Sequence, residues 1–421
     1  MKKIVILLFF ISSFVSAQDT LTLMHYNVLN YGNTAAFCPE SKYPLSKKSQ
    51  YISTIIDFVK PDIVSFNEVS PELHYQDSLQ NAVQTNNSEI AYRKAPVTNL
   101  AGANLVNTLF YNSRKIELHS AKVIRHSLRD INVYTMYYKD ERMVDTVFFT
   151  CIVAHLKAGS SKNDEEIRAS MAKAVVQWME EREFEGNCFL MGDFNLYSSS
   201  EEAYQVLTSS GNSSSLFFDP IDSEGNWHDS PQYAAIHTQS THLSNTGCFA
   251  SGGLDDRFDF ILFNESVSLG NANVKYINGS YTAVGNNGMS FNDSLHISST
   301  SVVPEEVLSA LYKNSDHLPV MLQVEIRNVQ QQSISKAEKC LDFTITNPVT
   351  ENLVINTKTS YKKELRLQIR NIVGNLLYER SLLEPETQIS IPLSTLSSGV
   401  YILSLVNDDA SEVYTRKFIK L

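Results

Sequence analysis

Apolar positions along this chain change period repeatedly, and each change predicts an element. Residues 21–28, Leu-Thr-Leu-Met-His-Tyr-Asn-Val, alternate as a strand does. From 49 to 60, Ile52, Ile55, Ile56 and Val59 share one helical face, and Pro61 closes the helix. Strands follow at 62–66, 107–111 and 144–156. Asp164 starts a helix whose buried face is Ile167, Met171, Ala174, Val175 and Trp178; that spacing makes Met171 and Trp178 core. Phe189-Leu190-Met191 is an unbroken apolar run that predicts a strand buried on both faces, ended by Gly192. Residues 198–202, three serines and two glutamates, suit a helix start. Residues 258–263 form a core strand with one acid inside, 303–313 a helix, and 321–326 a strand. Alternating strands and helices predict an α/β domain.

Polar residues emerge where these strands end, which is where open α/β sheets hold ligands. Asn27 follows the first strand, and Glu68 leaves the second. His155 ends the 144–156 run, and Asp193 and Asn195 follow Gly192. Asp259 sits inside its strand, so it needs a buried partner. Asp316 and His317 are an adjacent acid and base at a loop-to-strand junction. Taken singly, each has an ordinary reading as a turn residue, a solvated acid or a structural histidine. A carboxylate and an amide two residues apart, as Asp193 and Asn195 are, suit orienting a water beside a phosphate. No nucleophile sits in a Gly-x-Ser-x-Gly turn, which argues against acyl chemistry. A glycine-rich phosphate loop is also absent.

The two ends of the chain read differently. Lys2 and Lys3, an apolar run over 4–14 and Val15-Ser16-Ala17 predict a secretory leader at 1–17. No later run is long and apolar enough to cross a bilayer. The α/β domain then occupies 18–328, and polar residues at 329–338 form a linker. Short strands alternate at 353–355, 365–370, 388–391, 400–406 and 415–419, with turn signals at 373–375 and 397–399. They predict a small all-β sandwich over 339–421. The long irregular stretch 209–253 carries His228, His237 and His242 without regular metal-ligand spacing, and is read as a rim around the site.

Hydrophobic content of 43% supplies a sizeable core. The formal charge is −11. Residues 329–421 hold 11 basic and 10 acidic groups and the leader two lysines, which leaves −14 on residues 19–328. That argues against a broad electrostatic footprint for nucleic acid and suits a site that recruits a divalent cation. Cys38, Cys151, Cys188 and Cys248 allow three pairings. Cys151 and Cys188 lie in apolar strand patterns, so buried free thiols are an equal reading; Cys340 stands alone.

Several motifs occur in order: Asn27, the Asp-Ile-Val-x-Phe-x-Glu-Val of 62–69, His155-Leu156, Gly192-Asp193-Phe194-Asn195, Arg257-Phe258-Asp259-Phe260-Ile261-Leu262, and Ser315-Asp316-His317-x-Pro319-Val320. Together they resemble the endonuclease/exonuclease/phosphatase superfamily, typified by deoxyribonuclease I. The resemblance implies a four-layer α/β sandwich over about 20–327 and Mg²⁺-dependent hydrolysis of phosphate esters, with Mn²⁺ as an alternative metal. It implies that Glu68 and Asn27 hold the metal, with Asp316 coordinating directly or in support. Asp193 orients or deprotonates the attacking water, and Asn195 and His155 hydrogen-bond the phosphoryl oxygens. His317, oriented by Asp259, stabilises the developing charge or protonates the leaving oxygen; Asp255 and Asp256 are rival partners for it. Lys157, Lys162, Arg168 and Arg257 are candidate phosphate contacts. Asn67 stands where many members have Gln.

Gly252-Gly253-Leu254-Asp255-Asp256-Arg257 and His155-Leu156-Lys157-Ala158-Gly159 look like secreted bacterial nuclease-like members. In the tail, Asn347-Pro348, Ile372-Val373-Gly374-Asn375, Leu396-x-x-Gly399-Val400-Tyr401 and Lys417-Phe418-Ile419-Lys420 resemble the type IX secretion sorting domain of Bacteroidota. The resemblances imply a secreted or cell-surface phosphodiesterase. They imply nucleic acid as its substrate and the outer-membrane secretion machinery as its partner. The alternatives are a sphingomyelinase-like phospholipid hydrolase, a phosphomonoesterase and a non-catalytic surface binding protein.

Overall fold

The computed structural model describes residues 19–33, 38–84, 90–140, 146–208, 217–244, 247–295, 302–327, 343–357, 365–371, 375–382, 387–407 and 413–421. The expected leader and linker, Cys340 and the expected turn at Val373-Gly374 lie outside these residues. Chain contacts divide it into two units, 1–329 and 330–421.

In the first unit the elements are β1 (Asp19–Tyr31), α1 (Leu45–Val59), β2 (Ile63–Val69), α2 (Leu73–Val83), β3 (Tyr92–Lys94), β4 (Val106–Asn112), β5 (Ile116–Ile124), β6 (Ile131–Tyr138), β7 (Phe148–His155), α3 (Lys162–Glu180), β8 (Asn187–Asp193), α4 (Glu202–Thr208), β9 (Asp259–Phe263), α5 (Glu265–Leu269), β10 (Val274–Tyr276), β11 (Thr282–Ala283), α6 (Glu305–Asn314) and β12 (Val320–Ile326). One sheet runs β10-β12-β1-β2-β4-β3, with β11 also on β12, and the other runs β5-β6-β7-β8-β9. Among the described strands only β1 with β2 and β7 with β8 pair in parallel.

Three cores define four layers. Leu23, Ile63, Leu109, Met191, Ile261 and Leu322 fill the space between the sheets. Alternate residues of the first sheet, such as Met24, Val64 and Phe66, face Ile52, Ile55, Ile56, Leu308 and Leu311 of α1 and α6. On the far side Ile152 and Leu190 meet Met171, Val175 and Trp178 of α3. The expected four-layer α/β sandwich is therefore present, and β8 is buried along its whole length.

Helix ends follow local chemistry. Lys60 closes α1 in the left-handed region at φ 51°, ahead of Pro61. Asp164 lies inside α3 rather than at its start: Ser161 caps the helix and Asp164 completes a capping box. The second unit is all-β, with β13 (Phe343–Ile345), β14 (Asn352–Thr357), β15 (Leu365–Asn371), β16 (Leu376–Leu382), β17 (Gln388–Pro392), β18 (Gly399–Asn407) and β19 (Val413–Lys420). Its sheets run β13-β14-β17 and β16-β15-β18-β19 over a core of Leu353, Ile355, Leu367, Ile389 and Leu403. Among the described residues no helix is long and apolar enough to cross a membrane.

Gly192 lies within β8, which extends through Asp193, one residue beyond the expected end. A Cβ there would fall 1.7 Å from the backbone oxygen of Ala154 on β7. Gly192→Ala must spread β7 from β8 and should cost about 3 kcal/mol of stability. Chemical denaturation measures it, and an unchanged midpoint would contradict the close strand approach.

Candidate active site

Strand register brings the polar exits together. On β7 and β8, His155 lies opposite Asp193, and on β8 and β9 Asp193 lies opposite Asp259. In the facing sheet Asn27 lies opposite Asn67. The Asn27 amide crosses between sheets, donating from Nδ2 to Asp193 Oδ2 at 2.9 Å and to Glu68 Oε1 at 3.1 Å. Asn67 Oδ1 accepts from the Asp193 backbone N–H at 2.9 Å, and its Nδ2 donates to Asn107 Oδ1 at 2.8 Å.

Glu68 sits at φ 62°, where β2 turns outward, and Oε2 accepts from the Asn30 N–H at 3.1 Å. Asn195, at φ 52°, folds back so that its N–H and Nδ2 donate to Asp193 Oδ1 at 3.1 and 2.8 Å. Asparagine tolerates this left-handed backbone better than most residues.

His317 Nδ1 donates to Asp259 Oδ2 at 2.8 Å, and Nε2 lies 3.8 Å from Asp193 Oδ2. Asp259, not Asp255 or Asp256, is therefore its partner. Asp256 accepts instead from His228 Nδ1 at 2.8 Å. Burial disfavours a charged His317, but Asp259 and Asp193 overcome this and hold its pKa well above the ordinary value. His155 is the reverse case. Burial, then the Arg129 guanidinium against Nδ1, keeps it well below, so the ring is neutral. Its Nε2 lies 3.4 Å from Asp193 Oδ2. Burial raises Asp193 to about 7 even though His317 pulls it down.

Ligand atoms of Glu68, His155 and Asp193 all lie within 4.8 Å of one another. Two carboxylates and an imidazole make a donor set suited to a hard or borderline divalent cation. Asp316 is not in this group. Its Oδ2 accepts from the Ala250 N–H at 2.8 Å, while Oδ1 is buried without a hydrogen-bond partner among the described residues.

Two candidate phosphate contacts are corrected by the structure. Arg168 is fully buried, bonded through Nε to Glu201 at 2.8 Å and through Nη1 to the carbonyls of Lys157 and Gly159. Arg257 is equally buried, with a two-pronged pair to Asp219 at 2.7 and 2.8 Å over the Phe260 ring. Neither can reach solvent without breaking a buried ion pair. Lys157 is half-buried against Asp164 at 2.9 Å, and Lys162 is exposed at the start of α3.

Four participants escaped the sequence reading. Arg129 packs on His155, and Gln239 Nε2 lies 2.7 Å from His317 Nε2. His25 Nε2 lies 3.6 Å from Asp259 Oδ1, and Asn107 backs Asn67. Arg129, Gln239 and Asn107 lacked any local signal; His25 was legible as a polar break in the β1 apolar pattern. Gln239 belongs to the irregular stretch, whose Thr238 Oγ1 also accepts from the Asp259 N–H at 3.2 Å. A disulfide joins Cys38 to Cys248, while Cys151 and Cys188 are buried free thiols.

A model described as Endonuclease/Exonuclease/phosphatase family matches residues 24–281, and one described as Secretion system C-terminal sorting domain matches 346–421. The chain belongs to the endonuclease/exonuclease/phosphatase family, which is hydrolytic, and its sorting domain indicates secretion or a cell-surface location. Solved structures resembling it include an endonuclease/exonuclease/phosphatase from Bacteroides vulgatus, with 16% identity over 73% of this chain and 100% of that one, TM-score 0.46. D. rerio TDP2 complexed with single strand DNA product gives 14% identity, 72% and 98% coverage and a TM-score of 0.45. A Bacteroides thetaiotaomicron mannosyl-6-phosphatase gives 14%, 72% and 99%, and 0.44. Among curated proteins nothing matches.

The electrostatics of His317 rest on Asp259. In Asp259→Asn its imidazole should titrate at lower pH, because the principal neighbour raising it is gone. Histidine-ring NMR over a pH series reads this directly, and an unmoved titration would remove Asp259 from the account.

Proposed function

We propose that this chain is a secreted, divalent-metal-dependent phosphodiesterase that cleaves nucleic acid by water attack on the diester phosphorus. The supporting observation is the convergence of Glu68, Asp193, His155, Asn195 and the His317–Asp259 pair at one end of the two facing sheets. The leader expected at 1–17 and the C-terminal sorting domain support export, with the catalytic domain taken as 18–328 and the sorting domain as 339–421.

In this reading Asp193 receives the proton of the attacking water, and burial suits it to that role near neutral pH. Asn195 orients Asp193 and donates to a phosphoryl oxygen, as does neutral His155 through Nε2. Protonated His317, steadied by Asp259, meets the charge that develops on the leaving oxygen. Glu68, with Asn27 beside it, would be the principal holder of Mg²⁺ or Mn²⁺, and Asp316, whose Oδ1 has no hydrogen-bond partner among the described residues, would act in support. A bound cation would neutralise phosphoryl charge in the transition state.

Incubation of the full chain with DNA and RNA should give cleavage that EDTA stops and Mg²⁺ or Mn²⁺ restores. Asp193→Ala should lower kcat by roughly 10²- to 10⁴-fold. Cleavage that persists without metal, or that is undiminished in that variant, overturns the mechanism. Rates should also rise with pH through an acidic limb, because the ionised form of Asp193 accepts the proton, and fall again at alkaline pH once His317 loses its proton. In His317→Gln the residual activity should show the acidic limb at higher pH, since His317 normally lowers Asp193. A limb that stays or moves down would assign the base elsewhere.

A further inference from the structure

A cavity of about 420 Å³ opens beside the candidate site, between the segment joining β1 to α1, the loop containing Cys248 and the end of α6. Its placement ties it to the chemistry. Leu29, on its wall, is two residues beyond Asn27 and precedes Asn30, whose N–H holds Glu68. Lys48, also on the wall, donates from Nζ to the carbonyl of Asn314, two residues before Asp316. Burial lowers Lys48 to about 8, opposed by Asp316 and Glu68, so its ammonium lies within their field.

The lining has a distinct composition. In a domain carrying −14, Lys42, Lys47, Lys48 and Lys313 all face this one cavity, and among the described residues no acidic one lines it. Lys47 and Lys313 are exposed at its mouth. The rest is largely aromatic. His242 stacks between Phe249 and Tyr312 at 4.0 Å from each, and Tyr51 of α1 contributes another ring. The Cys38–Cys248 disulfide ties the β1–α1 segment to the loop bearing Phe249, so the two walls are covalently joined.

Lysines interleaved with aromatic rings form the lining that holds phosphates while bases lie against π-faces. We propose that this cavity is a subsite for a neighbouring nucleotide of a single-stranded nucleic acid, with its phosphate among Lys47, Lys48 and Lys313 and its base against Tyr51 and Tyr312. The inference rests on the phosphodiesterase reading above and narrows its substrate to a strand longer than the cleaved linkage. Recognition here is sequence-tolerant, since any base can stack.

The test compares the full chain with its Lys47→Glu/Lys313→Glu variant on a single-stranded oligonucleotide and on bis(p-nitrophenyl) phosphate, which lacks a neighbouring nucleotide. On the oligonucleotide kcat/KM should fall by about tenfold or more relative to the small diester, mainly through KM. The salt dependence should flatten by about one unit of slope per lysine. Lys122→Glu/Lys173→Glu, with the same change in net charge, should shift that substrate ratio less than about twofold. Tyr51→Leu, which keeps apolar bulk but loses the ring, should raise KM on the oligonucleotide alone. Equal loss on both substrates, or no loss, overturns the subsite while leaving the nuclease reading intact. A wild-type chain that hydrolyses the small diester but no nucleic acid overturns the nuclease reading, and the subsite with it.

Discussion

Asp193 is a carboxylate only 1% exposed between two sheets, and the rest of the arrangement depends on making that position tolerable. An unpartnered buried carboxylate costs several kcal/mol or takes up a proton. Here one oxygen receives both donors of Asn195 and the other receives Asn27 from the opposite sheet. The Asp193 backbone N–H is bound by Asn67, which is held in turn by Asn107. Asn107 also donates to the carbonyls of Asp130 and Val153 and to the Asn132 side chain. A belt of asparagines thus joins the polar ends of the two sheets. Sliding one sheet on the other would unmake several buried hydrogen bonds together, so the belt fixes where the carboxylates stand.

Many of the elements buried on one or both faces were legible, because apolar periodicity is what burial selects. The runs that became β1, β2, β8, β9 and β12 and the faces of α1, α3 and α6 all belong to the three cores. Several elements left unread have weaker patterns, although β6 also went unread with six of its eight positions buried. β5 is an edge strand with mostly intermediate or exposed positions, and β16 exposes Leu376 and Leu377. α2 carries a polar Gln76 on its buried side, bonded to the carbonyls of Ser70 and Pro71, which breaks the apolar stripe. Composition could not choose among the disulfide pairings either. That depends on two loops meeting 210 residues apart.

The site divides the same way. Strand-end polar residues announce themselves, because a polar group closing an apolar run needs a reason. Loop residues do not. Gln239 reaches His317 from an irregular segment whose neighbours Thr238 and Thr241 satisfy backbone groups around β9 and Ser315. Arg168 and Arg257 mislead in the opposite sense. A cation near a motif says nothing about which way it points, and their partners Glu201 and Asp219 lie 33 and 38 residues away. Each arginine packs beside an aromatic ring, which holds its planar head within the core.

The segment 314–317, from the last residue of α6 to His317, shows how such a site is kept rigid largely outside regular structure. Asn314 offers its carbonyl to Lys48 of α1, and Ser315 Oγ donates to the Asn27 carbonyl of β1 at 2.7 Å. Asp316 accepts from Ala250 in the disulfide-bonded loop, and His317 is held by Asp259 of β9. Four consecutive residues are therefore anchored to four different parts of the fold. Groups held in this way need little reorganisation when charge develops before them, and that is the condition under which fixed dipoles and charges lower a barrier most. The same anchors place the lysine-lined cavity next to the acidic site. A domain with −14 net charge can thus present a local positive wall to an anionic strand, while its carboxylates stay close enough to hold a cation.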